Sequence, residues 1–170
     1  MKHELKAYLL DLIECCNNIN DFLENLEVND YLENRIVKSA GQLYRKGWEE
    51  KSFETKITVD QDVMESPTHS VDCFKNRIAL EIEWNNKDPF FDRDLNNFRL
   101  LFDLRAISVG VIITRTDELQ DIFKGLGRGK SYGASTTHMS KLLPRIQGGG
   151  GAGCPLLIFG IRKELYVEDC

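Results

Sequence analysis

The run from Asp72 to Trp84, Asp-Cys-Phe-Lys-Asn-Arg-Ile-Ala-Leu-Glu-Ile-Glu-Trp, limits what this chain can become more than any other segment. Its first half ends at a polar turn candidate, Lys75-Asn76-Arg77, and its second half has the apolar, β-branched content of a strand. If the turn is the pair Asn76-Arg77, Lys75 pairs with Ile78 and Asp72 falls opposite Glu81. Side chains alternate along a strand, so Asp72, Glu81 and Glu83 share one face while Leu80, Ile82 and Trp84 point into a core. Clustered carboxylates repel, and a divalent cation relieves that repulsion; all-oxygen ligation of this kind suits Mg²⁺. A Glu-x-Glu pair alone would read as the wetted side of an edge strand. The aspartate across the hairpin turns the reading toward a metal site.

The rest of the chain supplies a frame for that hairpin. Apolar positions from Leu5 through Leu9, Leu12, Ile13, Cys16, Ile19, Leu23 and Leu26 recur at helical spacing, as do Leu32, Ile36, Val37, Ala40, Leu43 and Tyr44 before Gly47. Phe53 to Val59 alternates as a strand, and a polar loop containing Pro67 follows. Asp88-Pro89 reads as an N-cap followed by a first-turn proline, opening a helix to about Leu104 with Phe91, Leu95, Phe98, Leu101 and Phe102 on its apolar side. Ile107 to Ile113 is nearly continuous apolar chain, the mark of a strand buried on both faces. A short helix to about Lys124, a Gly- and Ser-rich stretch, a second short helix from Thr136 to Ile146 and a last strand from Pro155 to Ile161 complete the order. This order predicts an α/β fold, a mixed central sheet flanked by helices. At 170 residues and 42% hydrophobic content, one domain is the simplest organisation, with residues 1–47 a helical part and residues 51–170 built around the sheet.

Charge narrows the function. The net charge is −5, yet no Asp or Glu occurs between Ile122 and Lys163, where Lys124, Arg128, Lys130, Lys141, Arg145, Arg162 and Lys163 contribute +7, leaving −12 for the remainder. A basic, glycine-punctuated segment on an acidic body is an electrostatic footprint for a polyanion. No apolar run is long enough to span a bilayer and the N-terminus lacks a signal-peptide pattern, so a soluble, cytoplasmic protein is expected. The five cysteines lack Cys-x-x-Cys spacing, which argues against a disulfide scaffold and against a cysteine zinc site. Gly129-Lys130-Ser131 lacks the upstream glycine of a phosphate-binding loop, and His69 reads as an ordinary loop residue.

Asp72, Glu81-Ile82-Glu83, Asn85-Asn86, a long helix, an Ile/Val strand, a Ser131-Tyr132 loop and a final apolar strand, in that order, resemble the BglII and BstYI branch of type II restriction endonucleases, with BamHI more distant. The resemblance covers roughly Leu43 to Ile161 and is strongest from Asp72 to Glu83. It implies a restriction-endonuclease-like core of the PD-(D/E)xK class, with Asp72, Glu81 and the Ile82 carbonyl as Mg²⁺ ligands and catalytic roles for Asp72, Glu81 and Glu83, Glu83 standing where most of the class has Lys. The family also draws an Asn or Glu from an N-terminal helix, for which Glu33 and Asn34 are candidates. By residue type, Asn85, Asn86, Lys130, Ser131, Ser135, Thr136, Thr137, His138, Lys141 and Arg145 are candidate DNA contacts, most of them within a recognition segment of about 124–147. The activity so implied is Mg²⁺-dependent hydrolysis of double-stranded DNA at a short palindrome, leaving 5′-phosphates, by a homodimer whose interface includes the Asp88–Leu104 helix. Two rivals stand beside it: a non-specific or repair nuclease of the same fold, and a non-catalytic DNA-binding module.

Overall fold

The computed structural model describes residues 43–165 together with residues 10, 13, 14, 17 and 21. Most of the two N-terminal helical segments, and with them Glu33 and Asn34, lie outside the described residues. In chain order the elements are β1 (Glu49–Lys51), β2 (Glu54–Val59), β3 (Asp62–Pro67), β4 (Val71–Lys75), β5 (Ile78–Glu83), α1 (Phe90–Asp103), β6 (Val109–Arg115), α2 (Leu119–Gly125), α3 (Met139–Gln147) and β7 (Leu156–Ile161). The main sheet runs β1-β4-β5-β6-β7; its β1/β4 and β4/β5 pairs are antiparallel, and its β5/β6 and β6/β7 pairs are parallel. This is the mixed sheet expected from the element order. Among the described residues no helix is long and apolar enough to cross a membrane.

The hairpin that joins β4 to β5 sets the register of everything downstream. Asn76 and Arg77 both take positive φ, 49° and 65°, the backbone that a two-residue turn matching the strand twist demands. Lys75 therefore pairs with Ile78, Phe74 with Ala79 and Cys73 with Leu80. One face of β5 and β6, made by Ile78, Leu80, Trp84, Val109, Val111 and Ile113, packs with Leu119 and Phe123 of α2 and with Tyr132. The other, including Ala79 and Ile112, packs with Phe91, Leu95, Phe98 and Leu101 of α1 and Leu142 of α3. Gly110 of β6 permits close approach of that helix, because a Cβ there would lie 2.4 Å from Phe98 Cδ2.

Several segments differ from the sequence reading: β1 has no counterpart in it, and the helix read from Thr136 begins at Met139. The polar stretch before the β4–β5 hairpin is strand β3, paired along its length with β2 from Val59–Asp62 to Glu54–Pro67 as a separate two-stranded ribbon. Such a ribbon leaves Val59, Val63 and Met64 exposed, so it lacks the one-sided apolar pattern by which a strand is recognised. Helix α1 begins at Phe90, with Asp88 accepting the Phe91 N–H through its backbone oxygen at 3.2 Å, not through its side chain.

Candidate active site

Beyond the Cys73–Leu80 pair, side chains take over from backbone pairing between β4 and β5. The Asp72 N–H donates to Glu81 Oε2 at 3.2 Å, and the Ile82 N–H donates to Asp72 Oδ2 at 2.9 Å. Each carboxylate is thus locked to the strand that carries the other. The N–H and C=O of one strand residue point to the same neighbour, so the Ile82 carbonyl also faces the Asp72 side. Tyr44 holds β4 from behind, its hydroxyl donating to the Asp72 carbonyl at 3.0 Å.

Glu81 and Glu83 are almost fully buried, on the face covered by α1. That helix brings two residues the sequence reading missed. Asp94 is fully buried in the stripe between Phe91 and Leu95, and Arg93 next to it donates to Asp94 Oδ1 through Nε at 3.0 Å and Nη2 at 2.9 Å. The same guanidinium lies 3.5 Å from Glu83 Oε1 and stacks over the Phe90 ring at 4.2 Å. A charged residue inside an apolar helical stripe was the available signal for Asp94. His69, read from sequence as a loop residue, is a third: the chain between β3 and β4 carries its Nε2 to 3.9 Å from Glu81 Oε1, and Asn97 of α1 anchors it by donating to its carbonyl at 3.1 Å. No local pattern marks it, because only the tertiary fold brings it to Glu81.

The electrostatics follow from this crowding. Burial, then the charges of Asp72 and Asp94, hold the Glu81 carboxyl well above the usual range. Burial and the neighbouring Asp94 push Glu83 up to about 8, while burial alone is the leading cause of upward shifts at Asp72 and Asp94. Burial, then Arg93, holds the His69 imidazole below its ordinary value. Two oxygens, Glu81 Oε1 and Asp94 Oδ2, are buried without a hydrogen-bond partner. Orphaned buried carboxyl oxygens are costly unless a donor or a cation meets them. His69, Glu81 and Asp94 each offer a ligand atom, all within 4.8 Å of one another, so this group fits a divalent cation.

The candidate DNA contacts separate into two sets. Asn85, Lys130, Ser131 and Ser135 are exposed. The others have internal roles: Asn86 Nδ2 donates to Glu83 Oε2 at 3.0 Å, and Thr136 Oγ1 accepts from Arg115 at 3.0 Å. Thr137 is buried, and His138 Nδ1 sits 2.7 Å from Asp117. Lys141 and Arg145 meet Asp88 at 3.6 and 3.9 Å, and Arg145 also donates to Asp92 Oδ1 at 2.8 Å.

What ties this segment to the carboxylates is the chain leaving β5. The Thr137 N–H donates to Asn86 O at 2.8 Å and the Asp88 N–H to Ser135 O at 3.1 Å, so residues 135–137 run beside residues 86–88, just past Glu83. Beneath them lies Arg115, 1% exposed, its Nε on Trp84 O at 3.2 Å and its Nη2 on Tyr132 O at 3.1 Å. Lacking sequence neighbours that mark it, Arg115 was invisible in the apolar run that ends with it.

The model of the restriction endonuclease BglII/BglIII family matches residues 2–161. The chain belongs to that family. Among curated proteins none matches it. Family membership supports a DNA-cleaving type II endonuclease, and with it a DNA substrate. In this BglII-type chain the carboxylates of β4 and β5 lie next to the basic, glycine-rich segment.

Proposed function

We propose that this BglII-type nuclease is a homodimeric, Mg²⁺-dependent restriction endonuclease that cuts both strands of a short palindromic site and leaves 5′-phosphates. The observation that carries the reading is the interlocked Asp72–Glu81 pair with the exit of β5 leading directly to the 130–138 segment. Asp72, Glu81 and the Ile82 carbonyl would hold the cation. When bound, it would supply Lewis acidity to the scissile phosphate and lower the pKa of water.

The remaining chemistry belongs to the chain's own groups. Glu83, pushed up to about 8, accepts the proton of the attacking water and releases it to solvent, a task suited to a base titrating near the working pH. Asn86 holds Glu83 Oε2 and leaves Oε1 facing Arg93, so the base has a fixed orientation. Arg93, the one guanidinium bonded to this cluster among the described residues, also stands ready to meet a phosphate oxygen. Asn85, Lys130, Ser131 and Ser135 read or grip the DNA, while Asn86, Thr136, Thr137, His138, Lys141 and Arg145 hold the reading surface in shape. The apolar side of α1 is committed to the sheet, so a two-fold contact through this helix would use its exposed Asn96, Arg99, Asp103 and Leu104.

Digestion of long DNA in Mg²⁺ with sequencing of fragment ends tests the reading. Fragments ending at one palindromic motif with 5′-phosphates are expected, and Glu81→Ala should abolish cleavage while DNA binding in Ca²⁺ persists. A smear without end preference would place the protein among non-specific nucleases. Absence of cutting in every divalent cation would remove the enzymatic reading.

A further inference from the structure

The geometry points to a nitrogen-containing cation position formed by His69, Glu81 and Asp94, on the opposite oxygen of Glu81 from the one that serves Asp72, suited to a transition ion such as Co²⁺ or Mn²⁺. The inference rests on the nuclease reading above and deepens it by assigning the metal chemistry of the site.

The two oxygens of Glu81 face different surroundings. Oε2 accepts the Asp72 N–H at 3.2 Å, whereas Oε1 has no hydrogen-bond partner and lies 3.9 Å from His69 Nε2. Asp94 divides its oxygens in the same way. Oδ1 is taken by Arg93 at 2.9 and 3.0 Å, and Oδ2 is buried with no N–H or hydroxyl donor on it; the Glu83 carboxyl, when protonated, hydrogen-bonds to Asp94. The side chains of Glu81 and Asp94 are 1% and 0% exposed, so water does not readily satisfy these oxygens.

Distances agree with ligation. Two atoms each about 2.1 Å from a shared ion can be at most roughly 4.2 Å apart. The 3.9 Å between His69 Nε2 and Glu81 Oε1 falls within that span, and the 4.8 Å bound on the whole trio asks for a contraction of about half an ångström. The His69 side chain is 31% exposed, but its backbone carbonyl is held by Asn97, a buried residue of the same helix that carries Asp94, so the His69 backbone is tied to the element that presents Asp94.

An imidazole changes which ion is preferred. Carboxylates and carbonyls suit Mg²⁺, Ca²⁺ and Mn²⁺, whereas a nitrogen donor adds affinity along the series from Mn²⁺ through Co²⁺. The Asp72 side of Glu81 is all oxygen; the His69 side is not. One glutamate therefore separates two positions of different ion preference, and the His69 position discriminates against Mg²⁺.

Titration of the whole protein with Co²⁺ tests this, read by visible d–d absorption and by hyperfine-shifted imidazole N–H signals in proton NMR. The wild type should give one strongly shifted exchangeable imidazole signal that His69→Gln lacks. Co²⁺ affinity should fall at least about tenfold in His69→Gln, with Mg²⁺ affinity, measured by calorimetry, changed less than about twofold. Asp94→Asn, which keeps the volume of the side chain and an amide oxygen to accept the two Arg93 bonds, should lose Co²⁺ affinity to a similar extent. A Co²⁺ complex without a shifted imidazole signal, or equal Co²⁺ affinity in wild type and both variants, overturns the proposal. Either outcome is separate from the cleavage test: DNA cutting in Mg²⁺ with no nitrogen ligation sinks this inference alone, and nitrogen ligation without cutting in any ion sinks the nuclease reading alone.

Discussion

Replacing Arg115 with Met should cost this protein about 3 kcal/mol. The guanidinium makes three bonds of 3.0 to 3.2 Å, to Trp84 O, Tyr132 O and Thr136 Oγ1, and it is 1% exposed. Bonds from a charged donor contribute about 1.5–3 kcal/mol each, so the gross gain is roughly 5–9 kcal/mol. Against this stands the cost of burying the cation, several kcal/mol, which also appears as a lowered Arg115 pKa caused first by burial. Methionine relieves the desolvation and fills much of the volume, but it leaves three acceptors without their donor at roughly 1 kcal/mol each or more. Equilibrium unfolding in urea reads the difference. With a slope of about 2 kcal/mol/M, the midpoint should fall by roughly 1.5 M at unchanged slope. Arg115→Lys should recover less than half of the loss, since a single ammonium cannot bridge Trp84 O and Tyr132 O as the fork does. A midpoint shift below about 0.3 M for Arg115→Met would refute the idea that this residue clamps the 132–136 segment to the end of β5.

Gly110→Ala should be destabilising by about 2 kcal/mol or more, measured in the same way, because the new Cβ would lie 2.4 Å from the Phe98 ring in a packed interface. The metal-free protein should lose thermal stability as pH rises from 4.5 to 8. Folded Glu83 keeps its proton up to about 8 whereas an unfolded glutamate releases it near 4.5, so the contribution is full below the lower value and gone above the upper one. Asp72, Glu81 and Asp94 are shifted in the same direction and steepen the fall. Millimolar Mg²⁺ should reverse that slope, because a cation binds the deprotonated carboxylates; a metal-free melting temperature that is flat or rises over this range would contradict the arrangement. Asn86→Ala should move the ascending limb of the pH–rate profile for DNA cleavage upward, since the Asn86 hydrogen bond lowers the Glu83 pKa.

The parts of the site legible in the sequence were those fixed by short-range geometry. Asp72 and Glu81 could be placed opposite one another because a two-residue turn at Asn76-Arg77 leaves no freedom in the pairing, and the observed Lys75–Ile78 register follows from it. Strand β3 escaped notice because a ribbon with Val63 and Met64 in solvent has no buried side to advertise. His69 and Asp94 were out of reach for a different reason: their meeting at Glu81 depends on how α1 lies across the sheet, and that depends on contacts such as Phe98 on Gly110. In the basic segment, residue type identified polar groups but not their direction. Thr136, Thr137 and His138 turn inward and Lys130, Ser131 and Ser135 outward, a choice made by hydrogen bonds to Asn86, Asp117 and Arg115 from distant parts of the chain.

The bend at Asn76 and Arg77 supplies no carboxylate to the site, yet it assigns every side chain of β5 to one side or the other. Lengthening it by a single residue would slide β4 one place along its partner, turning Asp72 toward the Trp84 layer and some other side chain toward Glu81. The amino acids at this corner can change so long as the left-handed backbone survives, but their number cannot. Variation among proteins built on this plan should therefore accumulate in the composition of the corner and never in its length, which makes loop length here a sharper marker of retained nuclease activity than loop sequence.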